Sequence, residues 1–423
     1  MGSKYLAPSG VKRYLSDYVY GIRAVLDGTW TGGMWQERFV AALYKFTRTT
    51  SVTLVNSGSS ANLAAMAAGV EYAKIFNPNA NRVVACVANF PTTVNPIEQC
   101  GCQPVWVDAM QDSFVPSIVE ITKLLKDNRV LGAIIAAPLG RDMEVFRIQD
   151  EKTGEFSYDM KLFDELMRVA TEKRKFVILD VCDSIYFMSL VNITRFPLMA
   201  TYSFYPAHHI TTGEGGAVAC YHSTLHRLVK QFSNWGRGCI CAPGQDNACG
   251  HRFDQQWGGL PAGYDHKYVY NVKGYNLKMT DISAAIGCSQ IRHFNGRRRF
   301  GNNLLFNELL KKADMPKFFN YKIMSCLGMA PFGSVIALQP EYGHLLPQLI
   351  KHLESHGIGT RRYFGGNLLR QPAYYVRGAV EKAFPNADYL TECVCWVGCH
   401  DKIKSKDVIY MTETIIKFAE ANQ

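Results

Sequence analysis

Five short apolar runs separated by helix-like segments constrain the fold of this chain most strongly. The runs occupy residues 83–88, 105–107, 132–137, 176–179 and 200–204. Continuous apolar runs of this length favour parallel strands covered on both faces, and their alternation with helical segments predicts a doubly wound α/β domain. Ligands of such sheets bind beyond the carboxyl ends of the strands, where Asp180 directly follows one run.

The pattern changes after about residue 300, which predicts a second domain. Residues 304–310 and 345–353 have helical periodicity, with a strand at 334–338 between them. We therefore expect an N-terminal helical arm at residues 1–40, a large cofactor-binding domain at 41–295 and a small α+β C-terminal domain at 296–423. The arm is expected to pack on the small domain or on a second copy of the chain.

Charge and hydropathy limit the location and the partners of the protein. No run reaches the roughly eighteen apolar residues of a membrane span, and the first ten residues lack the apolar core of a secretory signal, so we expect a cytoplasmic protein. The formal charge of +10 comes from scattered basic residues, which predicts no nucleic-acid partner. Such an excess suits an enzyme of anionic phosphates, and ordinary surface charge also explains it.

Three features are typical of a phosphorylated cofactor site. The segment Asn56–Asn62, which contains Gly58, Ser59 and Ser60, precedes a helix rich in small residues at Leu63–Gly69. Free N–H groups and the helix dipole at such a helix start favour a phosphate; an ordinary serine N-cap is the alternative. Asp180, at the end of a buried strand, would pair with a protonated pyridine nitrogen or cap the next loop. Phe90 follows another strand and would stack on a ring or pack in the core.

The segment from Ser203 to Gly216 resembles a known lysine motif. In the sugar aminotransferases of fold type I, the DegT/DnrJ/EryC1/StrS family, a serine and a short spacer precede a lysine and a turn rich in threonine and glycine. His208 occupies the lysine position here. Histidine forms no stable Schiff base, but it can remove a proton near neutral pH. This replacement predicts proton abstraction rather than amino transfer.

Within the family, the resemblance is to the 3-dehydrases of CDP-linked 4-keto-6-deoxyglucose. It rests on residues 90–96, 205–209, 263–268, 274–278 and 365–372 and extends from about Ala7 to Trp396. It implies a fold type I PLP-dependent transferase (aspartate aminotransferase-like), with a mostly parallel sheet in the large domain. It also implies C3 dehydration and deoxygenation of a nucleotide-linked 4-keto-6-deoxyhexose in 3,6-dideoxysugar formation.

The resemblance also assigns roles to individual residues. It implies pyridoxamine phosphate (PMP) held without a covalent bond, and a homodimer in which Asn276 reaches the phosphate of the partner's cofactor. The nucleotide and the hexose stay open. The implied roles are His208 as base, Asp180 on the ring nitrogen, Ser59, Ser60, Ser203 and Asn276 on the phosphate, Phe90 on the ring face, Asp183 on the ring hydroxyl and Arg361 on the substrate diphosphate.

A cysteine cluster predicts a metal site in the loop at residues 235–250. Cys239, Cys241 and Cys249 have the spacing C-x-C-x7-C, which suits zinc or an iron–sulfur cluster, and Cys182 is the natural fourth ligand. The resemblance implies that these four hold a [2Fe-2S] cluster reduced by a flavin- and iron–sulfur-dependent NAD(P)H reductase; zinc remains the alternative. We expect the other cysteines considered to be core or loop residues, namely Cys86, Cys220, Cys288, Cys326, Cys393, Cys395 and Cys399.

Two departures from the family pattern and two rival functions remain. Residues 139–142 add a charge at Arg141, which we expect near the cofactor, and Arg362 stands beside Arg361 where the family prefers an apolar residue. A sugar aminotransferase would need Lys230 or Lys267 to reach the cofactor from an unrelated position. A non-catalytic regulatory or scaffold protein that binds the cofactor weakly is the third reading.

Overall fold

A computed structural model describes residues 5–111, 113–142, 144–149, 156–190, 197–239, 241, 246–248, 250–324, 328–375 and 384–422. The strands are β1 Val52–Val55, β2 Arg82–Cys86, β3 Gln103–Val107, β4 Val130–Ala136, β5 Arg147–Gln149, β6 Phe156–Tyr158, β7 Phe176–Asp180, β8 Leu198–Ser203, β9 Gly216–Cys220, β10 Gly333–Ala337, β11 Thr360–Arg362 and β12 Val394–Gly398. The helices are α1 Leu15–Leu26, α2 Met34–Thr47, α3 Gly58–Lys74, α4 Pro91–Gln99, α5 Ile118–Leu124, α6 Lys161–Glu172, α7 Phe187–Leu190, α8 Ser223–Ser233, α9 Asp281–His293, α10 Arg297–Lys312, α11 Tyr321–Met324, α12 Leu346–Ser355, α13 Pro385–Cys393 and α14 Ser405–Ala421.

A seven-stranded sheet forms the centre of the larger part of the molecule. Its strand order is β1-β9-β8-β7-β4-β2-β3. The five strands expected from the sequence are β2, β3, β4, β7 and β8, and they pair in parallel. Strand β9 runs antiparallel to both β1 and β8. The prediction of an α/β fold with a mostly parallel sheet is therefore confirmed.

The register of the sheet brings several strand ends to one edge. Ala136 of β4 lies beside Asp180 of β7, which pairs in turn with Thr201 of β8. Ser203 ends β8 opposite Gly216, the first residue of β9. Because parallel strands point the same way, these ends form one polar rim above an apolar sheet. The sequence analysis predicted the cofactor site at this rim.

Helix α3 lies close to the sheet because its buried face is built from small residues. Twelve of its residues are buried, and alanine is the commonest among them. Gly69 approaches the ring of Phe176 so closely that an added Cβ would lie 2.6 Å from ring atoms. This close contact fixes the position of the helix start relative to the strand ends.

The C-terminal part has its own sheet, and its core is continuous with residues of the larger part such as Val87 and Phe114. Strands β10, β12 and β11 form an antiparallel three-stranded sheet in that order, and α10, α12 and α14 contribute to a core with Val335 and Trp396. Cys393, Cys395 and Cys399 are buried, which confirms that they are core residues. Strand β12 is buried along its whole length.

Burial tests the remaining cysteine predictions, and helix contacts show where the N-terminal arm packs. Cys86 and Cys220 are buried and Cys288 packs against the core, while Cys326 lies outside the described residues. Helices α1 and α2 both pack on α9, and α2 spans the expected boundary at residue 40. Among the described helices, none combines the length and the apolar character that a membrane span needs.

The charge added at Arg141 does not lie at the cofactor cavity. Arg141 is fully buried, its guanidinium pairs with Glu144 and lies 4.0 Å from the centre of the Phe114 ring. The expectation of an extra charge beside the cofactor is wrong, because Glu144, three residues along the chain, neutralises this arginine inside the protein.

Neighbouring Asp142 is also buried and accepts a hydrogen bond from the backbone N–H of Met329 at 3.2 Å.

The close fit of Gly69 makes a paired test of packing possible. We expect Gly69→Ala to lower the free energy of unfolding by about 1–3 kcal/mol, because overpacking against Phe176 outweighs a gain in helix propensity of about 1 kcal/mol. Gly301 in α10 has open space around it, so Gly301→Ala should raise stability slightly. Urea unfolding of both variants measures this, and a stabilised Gly69→Ala would contradict the packing.

The buried carboxyl of Asp142 predicts a pH dependence of stability. Burial raises its pKa to about 7, so between about pH 4 and pH 7 the folded state binds a proton that the unfolded chain has lost. Its contribution to stability is therefore lost as the pH rises. We expect the unfolding free energy of Asp142→Asn, relative to the unsubstituted protein, to rise by about 2–3 kcal/mol from pH 5 to pH 8. A constant difference would contradict this.

Candidate active site

A cavity of about 700 Å³ opens at the carboxyl ends of the central strands. It lies between the rim of the large sheet and residues from the C-terminal part, including Phe332, Arg361 and Trp396. The structure brings nine residues expected from the sequence into its lining: Gly58, Ser59, Phe90, Asp180, Cys182, Asp183, Ser203, His208 and Arg361.

Asp180 is a buried carboxylate at the bottom of the cavity. Its Oδ2 accepts hydrogen bonds from Asn62 Nδ2 at 2.8 Å and Thr93 Oγ1 at 2.7 Å, and its Oδ1 accepts one from the Cys182 backbone N–H at 3.2 Å. No cation within the described residues forms an ion pair with it. Burying a charge without a partner is costly, and three donors holding it in place prepare it for a cationic ligand atom.

The start of α3 forms a cradle for an anion. The Ser57 side chain caps the helix by accepting from the Ser60 backbone N–H at 3.0 Å, so the N–H groups of Gly58 and Ser59 have no intrahelical partner. An added Cβ at Gly58 would lie 2.5 Å from Ser203 Cβ, so glycine is required for this close approach. Ser60 does not line the cavity, and its hydroxyl contacts Ser57.

His208 lies beside an acid that positions its ring. His208 Nδ1 is 3.3 Å from Asp183 Oδ1, a short contact without hydrogen-bond geometry, while Asp183 Oδ2 accepts from the Leu139 backbone N–H at 3.1 Å. The imidazole also lies 5.3 Å from the Phe332 ring, centre to centre. Since Nδ1 faces the acid, Nε2 is the ring atom left to exchange protons with a ligand.

Aromatic rings and arginines surround the opening of the cavity. Phe90, the residue before α4, is half exposed and meets Phe364 edge to face at 5.8 Å between ring centres. Phe364 has a φ of +33°, an unusual conformation for a residue with a side chain. Arg361 and Arg362 line the same opening, so it combines stacking surfaces with positive charge.

A second cavity of about 900 Å³ holds other residues expected at the active site. Cys239 and Cys241 line it together with Lys230, Lys267 and Lys278. Asn276 lines neither cavity, and its side-chain oxygen accepts a hydrogen bond from Lys278 Nζ. Within a single chain Asn276 therefore does not line the cavity that contains the α3 cradle. Whether a partner subunit places its own copy there stays a prediction.

The four cysteines do not form a metal site within the described residues. Cys182 lines the first cavity and Cys239 and Cys241 the second, while Cys249 lies outside the described residues. No three potential ligands converge in the described part of the chain. Burial, followed by the nearby Asp180 and Asp183 carboxylates, raises the pKa of the Cys182 thiol well above its usual value. The described residues therefore show no assembled metal site, and the [2Fe-2S] cluster stays a prediction.

A pyridoxamine phosphate does fit the first cavity. The buried carboxylate of Asp180 lacks a cationic partner among the described residues, and the Gly58 and Ser59 N–H groups have no intrahelical acceptor. A phosphorylated pyridine supplies both charges at the two ends of one molecule. The cavity volume is ample for such a ligand together with a sugar.

Sequence reasoning missed several residues that complete the cavity. Asn62 and Thr93 hold Asp180, and both lie in motifs that were recognised without a role for them. Phe332, Phe364 and Trp396 come from the C-terminal part. No local pattern marks these three, because only tertiary folding brings them to the rim of the central sheet.

Comparisons with known proteins agree with this geometry. The model of the DegT/DnrJ/EryC1/StrS aminotransferase family matches residues 17–416. A dTDP-4-dehydro-2,6-dideoxy-D-glucose 3-dehydratase of Saccharopolyspora spinosa is 34% identical, over 99% of this chain and 87% of that protein. The lipopolysaccharide biosynthesis protein RfbH of Salmonella typhimurium is 33% identical, over 100% of this chain and 93% of that protein.

A solved structure shows the same fold. The E. coli GDP-4-keto-6-deoxy-D-mannose-3-dehydratase with bound hydrated PLP superposes with a TM-score of 0.75 at 19% identity, covering 98% of this chain and 99% of that one. The central sheet and the C-terminal part described above are therefore the fold of PLP-dependent sugar aminotransferases and their dehydratase relatives.

The hydrogen bonds to Asp180 predict how cofactor binding responds to substitution. We expect Asp180→Asn to weaken PMP binding about 10- to 100-fold, because a charge-assisted hydrogen bond is lost. Thr93→Val should weaken it about 3- to 10-fold by releasing one side of the carboxylate. Fluorescence titration with PMP measures both. The matched control is Thr122→Val, whose hydroxyl donates to Ile118 O outside the cavity; equal affinity of all variants would contradict the role of Asp180.

Proposed function

The chain belongs to the DegT/DnrJ/EryC1/StrS aminotransferase family, and from this premise we propose that it is a PMP-dependent 3-dehydratase of a nucleotide-linked 4-keto-6-deoxyhexose. Membership makes it an enzyme of the sugar dehydratase and aminotransferase group. The relatives include both classes: 3-dehydratases and, at 23–24% identity, sugar transaminases and perosamine synthases. The residues of the cavity support the dehydratase class.

The observation that carries the proposal is the identity of the base. His208 lies in the cavity at the position of the family's lysine, and no lysine lines the cavity within the described residues. Lys230 and Lys267, which an aminotransferase would need, both line the second cavity. A transaminase holds its cofactor through a lysine Schiff base. The cavity therefore favours dehydration over amino transfer.

The described residues suffice for the proton chemistry of a dehydration. When bound, PMP supplies an amine that condenses with the keto group and a ring that withdraws electrons. The Asp180 carboxylate would pair with the ring nitrogen, and the Gly58 and Ser59 N–H groups would hold the phosphate. His208 Nε2 would act as the base, Asp183 would stabilise the resulting imidazolium, and the imidazolium would return its proton to the departing C3 hydroxyl, which leaves as water. The buried position of Asp183 keeps water from weakening this support.

The rate enhancement expected from the base can be estimated, and the remaining residues of the site can be assigned binding roles. A positioned general base accelerates a reaction about 10²- to 10⁴-fold. Arg361 at the opening is the candidate ligand of the substrate diphosphate, since guanidinium groups match phosphate oxygens geometrically. Asn276, acting from a second copy of the chain, and Phe90 on the ring face complete the proposed cofactor site.

The [2Fe-2S] cluster and its reductase are predictions that rest on the cysteine spacing and on the resemblance to the 3-dehydrases of CDP-linked 4-keto-6-deoxyglucose. No reaction step is assigned to them, because the described cysteines line two different cavities. Iron, sulfide and zinc analysis of anaerobically purified protein tests the prediction. About two irons and two sulfides per chain would support it, and zinc without sulfide would replace the cluster by a structural metal.

The base is tested by two substitutions at one position. We expect His208→Asn to slow loss of the C3 hydroxyl from CDP- or dTDP-linked 4-keto-6-deoxyglucose at least about 100-fold, measured by mass spectrometry with PMP present. His208→Lys should instead bind PLP covalently and show a visible aldimine band that borohydride removes. The matched control is His251→Asn, an exposed histidine paired with Asp254.

The outcomes separate the alternatives. Full activity of His208→Asn would refute the proposed base, and amino transfer by the unsubstituted protein would identify an aminotransferase. Failure to bind PMP or PLP at all would leave the non-catalytic reading.

A further inference from the structure

Two consecutive arginines stand at the opening of the active-site cavity. Arg361 and Arg362 belong to β11, which among the described strands pairs with β12 and forms an edge of the small sheet. Side chains on a strand alternate between its two faces. Both arginines nevertheless line the cavity, so the opening includes both sides of this edge strand.

Both guanidinium groups keep most of their donors available. One Arg361 nitrogen donates to its neighbour Thr360 O at 2.8 Å, and Arg362 donates to Thr391 O at 3.2 Å. Within the part of the chain that the structure describes, neither forms an ion pair with a carboxylate. An arginine carries five N–H donors, and both side chains are exposed. An isolated exposed arginine is usually only solvated, so their position decides the interpretation.

Acidic and basic side chains lie at opposite ends of the cavity. The acids Asp180 and Asp183 lie buried with His208 at the inner end, and the two arginines lie at the opening. A nucleotide sugar that places its keto carbon near His208 leaves its diphosphate further out. A diphosphate carries two phosphate groups, and guanidinium binds each through paired hydrogen bonds.

We propose that Arg362 is a specificity residue that binds the β-phosphate of the nucleoside diphosphate, and that Arg361 beside it binds the α-phosphate. This inference rests on the proposed function, since it assumes a nucleotide-linked substrate. Arg362 thus selects diphosphates over monophosphates whatever the base. Phe364, held at φ +33° two residues later, lines the same opening and offers an adjacent ring surface.

The test compares diphosphate and monophosphate binding. Calorimetric titration of PMP-loaded protein with CDP, dTDP, CMP and dTMP gives the affinity ratio for each base. Arg362→Gln should weaken diphosphate binding about tenfold and leave monophosphate binding within about twofold, which collapses the ratio. Arg362→Lys should restore part of the ratio, because lysine keeps the charge but not the paired hydrogen bonds.

The control separates a local contact from a change in net charge. Lys351→Gln removes one exposed positive charge from α12, outside the cavity, and should leave the ratio unchanged. Thermal unfolding verifies that each variant is folded. An unchanged ratio in folded Arg362→Gln overturns the role of Arg362 alone. If the unsubstituted protein binds no nucleoside diphosphate, the nucleotide-linked substrate of the proposed function fails as well.

Discussion

A carboxylate buried without a described cationic partner is the constraint on which the site depends. Asp180 ends a central strand, and Asn62 and Thr93 hold it from two different helices. Asn62 in turn accepts a hydrogen bond from Thr201 Oγ1 on the neighbouring strand at 2.6 Å. The hydrogen bonds offset part of the cost of burying this charge, and a positively charged ligand atom would offset it further. The start of α3, the strand rim and α4 are therefore fixed relative to one point.

The two parts of the fold supply opposite charges to the two ends of the cavity. The central sheet supplies acids and the base at the inner end, while edge strand β11 supplies the arginines at the opening. Phe332 packs against His208 from the C-terminal part, so the ring of the base is positioned from both sides. A substrate with one neutral and one dianionic end can then bind productively in only one orientation.

The sequence predicted what local pattern encodes. The parallel strands, the small-residue helix α3, Asp180 and His208 all follow from apolar runs, glycine and serine positions, or one recognisable motif. Tertiary contacts could not be predicted from local patterns. Arg141 was predicted to lie near the cofactor, because nothing in the local sequence reveals its pairing with Glu144 in the core. Phe332 and Phe364 reach the cavity only through the packing of the C-terminal part, and β9 gave no sign that it runs antiparallel.

The separation of the cysteines bears on which reaction the described residues can complete. Loss of water from a hexose is redox-neutral and needs only a base, an acid and an electron-withdrawing ring, all of which the first cavity provides or accommodates. Complete removal of the C3 oxygen needs two further electrons. Cys182 lies at that cavity, but Cys239 and Cys241 lie at another. The described residues of the first cavity therefore support the proposed dehydration, whereas a reduction through the predicted cluster would also depend on Cys249, which lies outside the described residues.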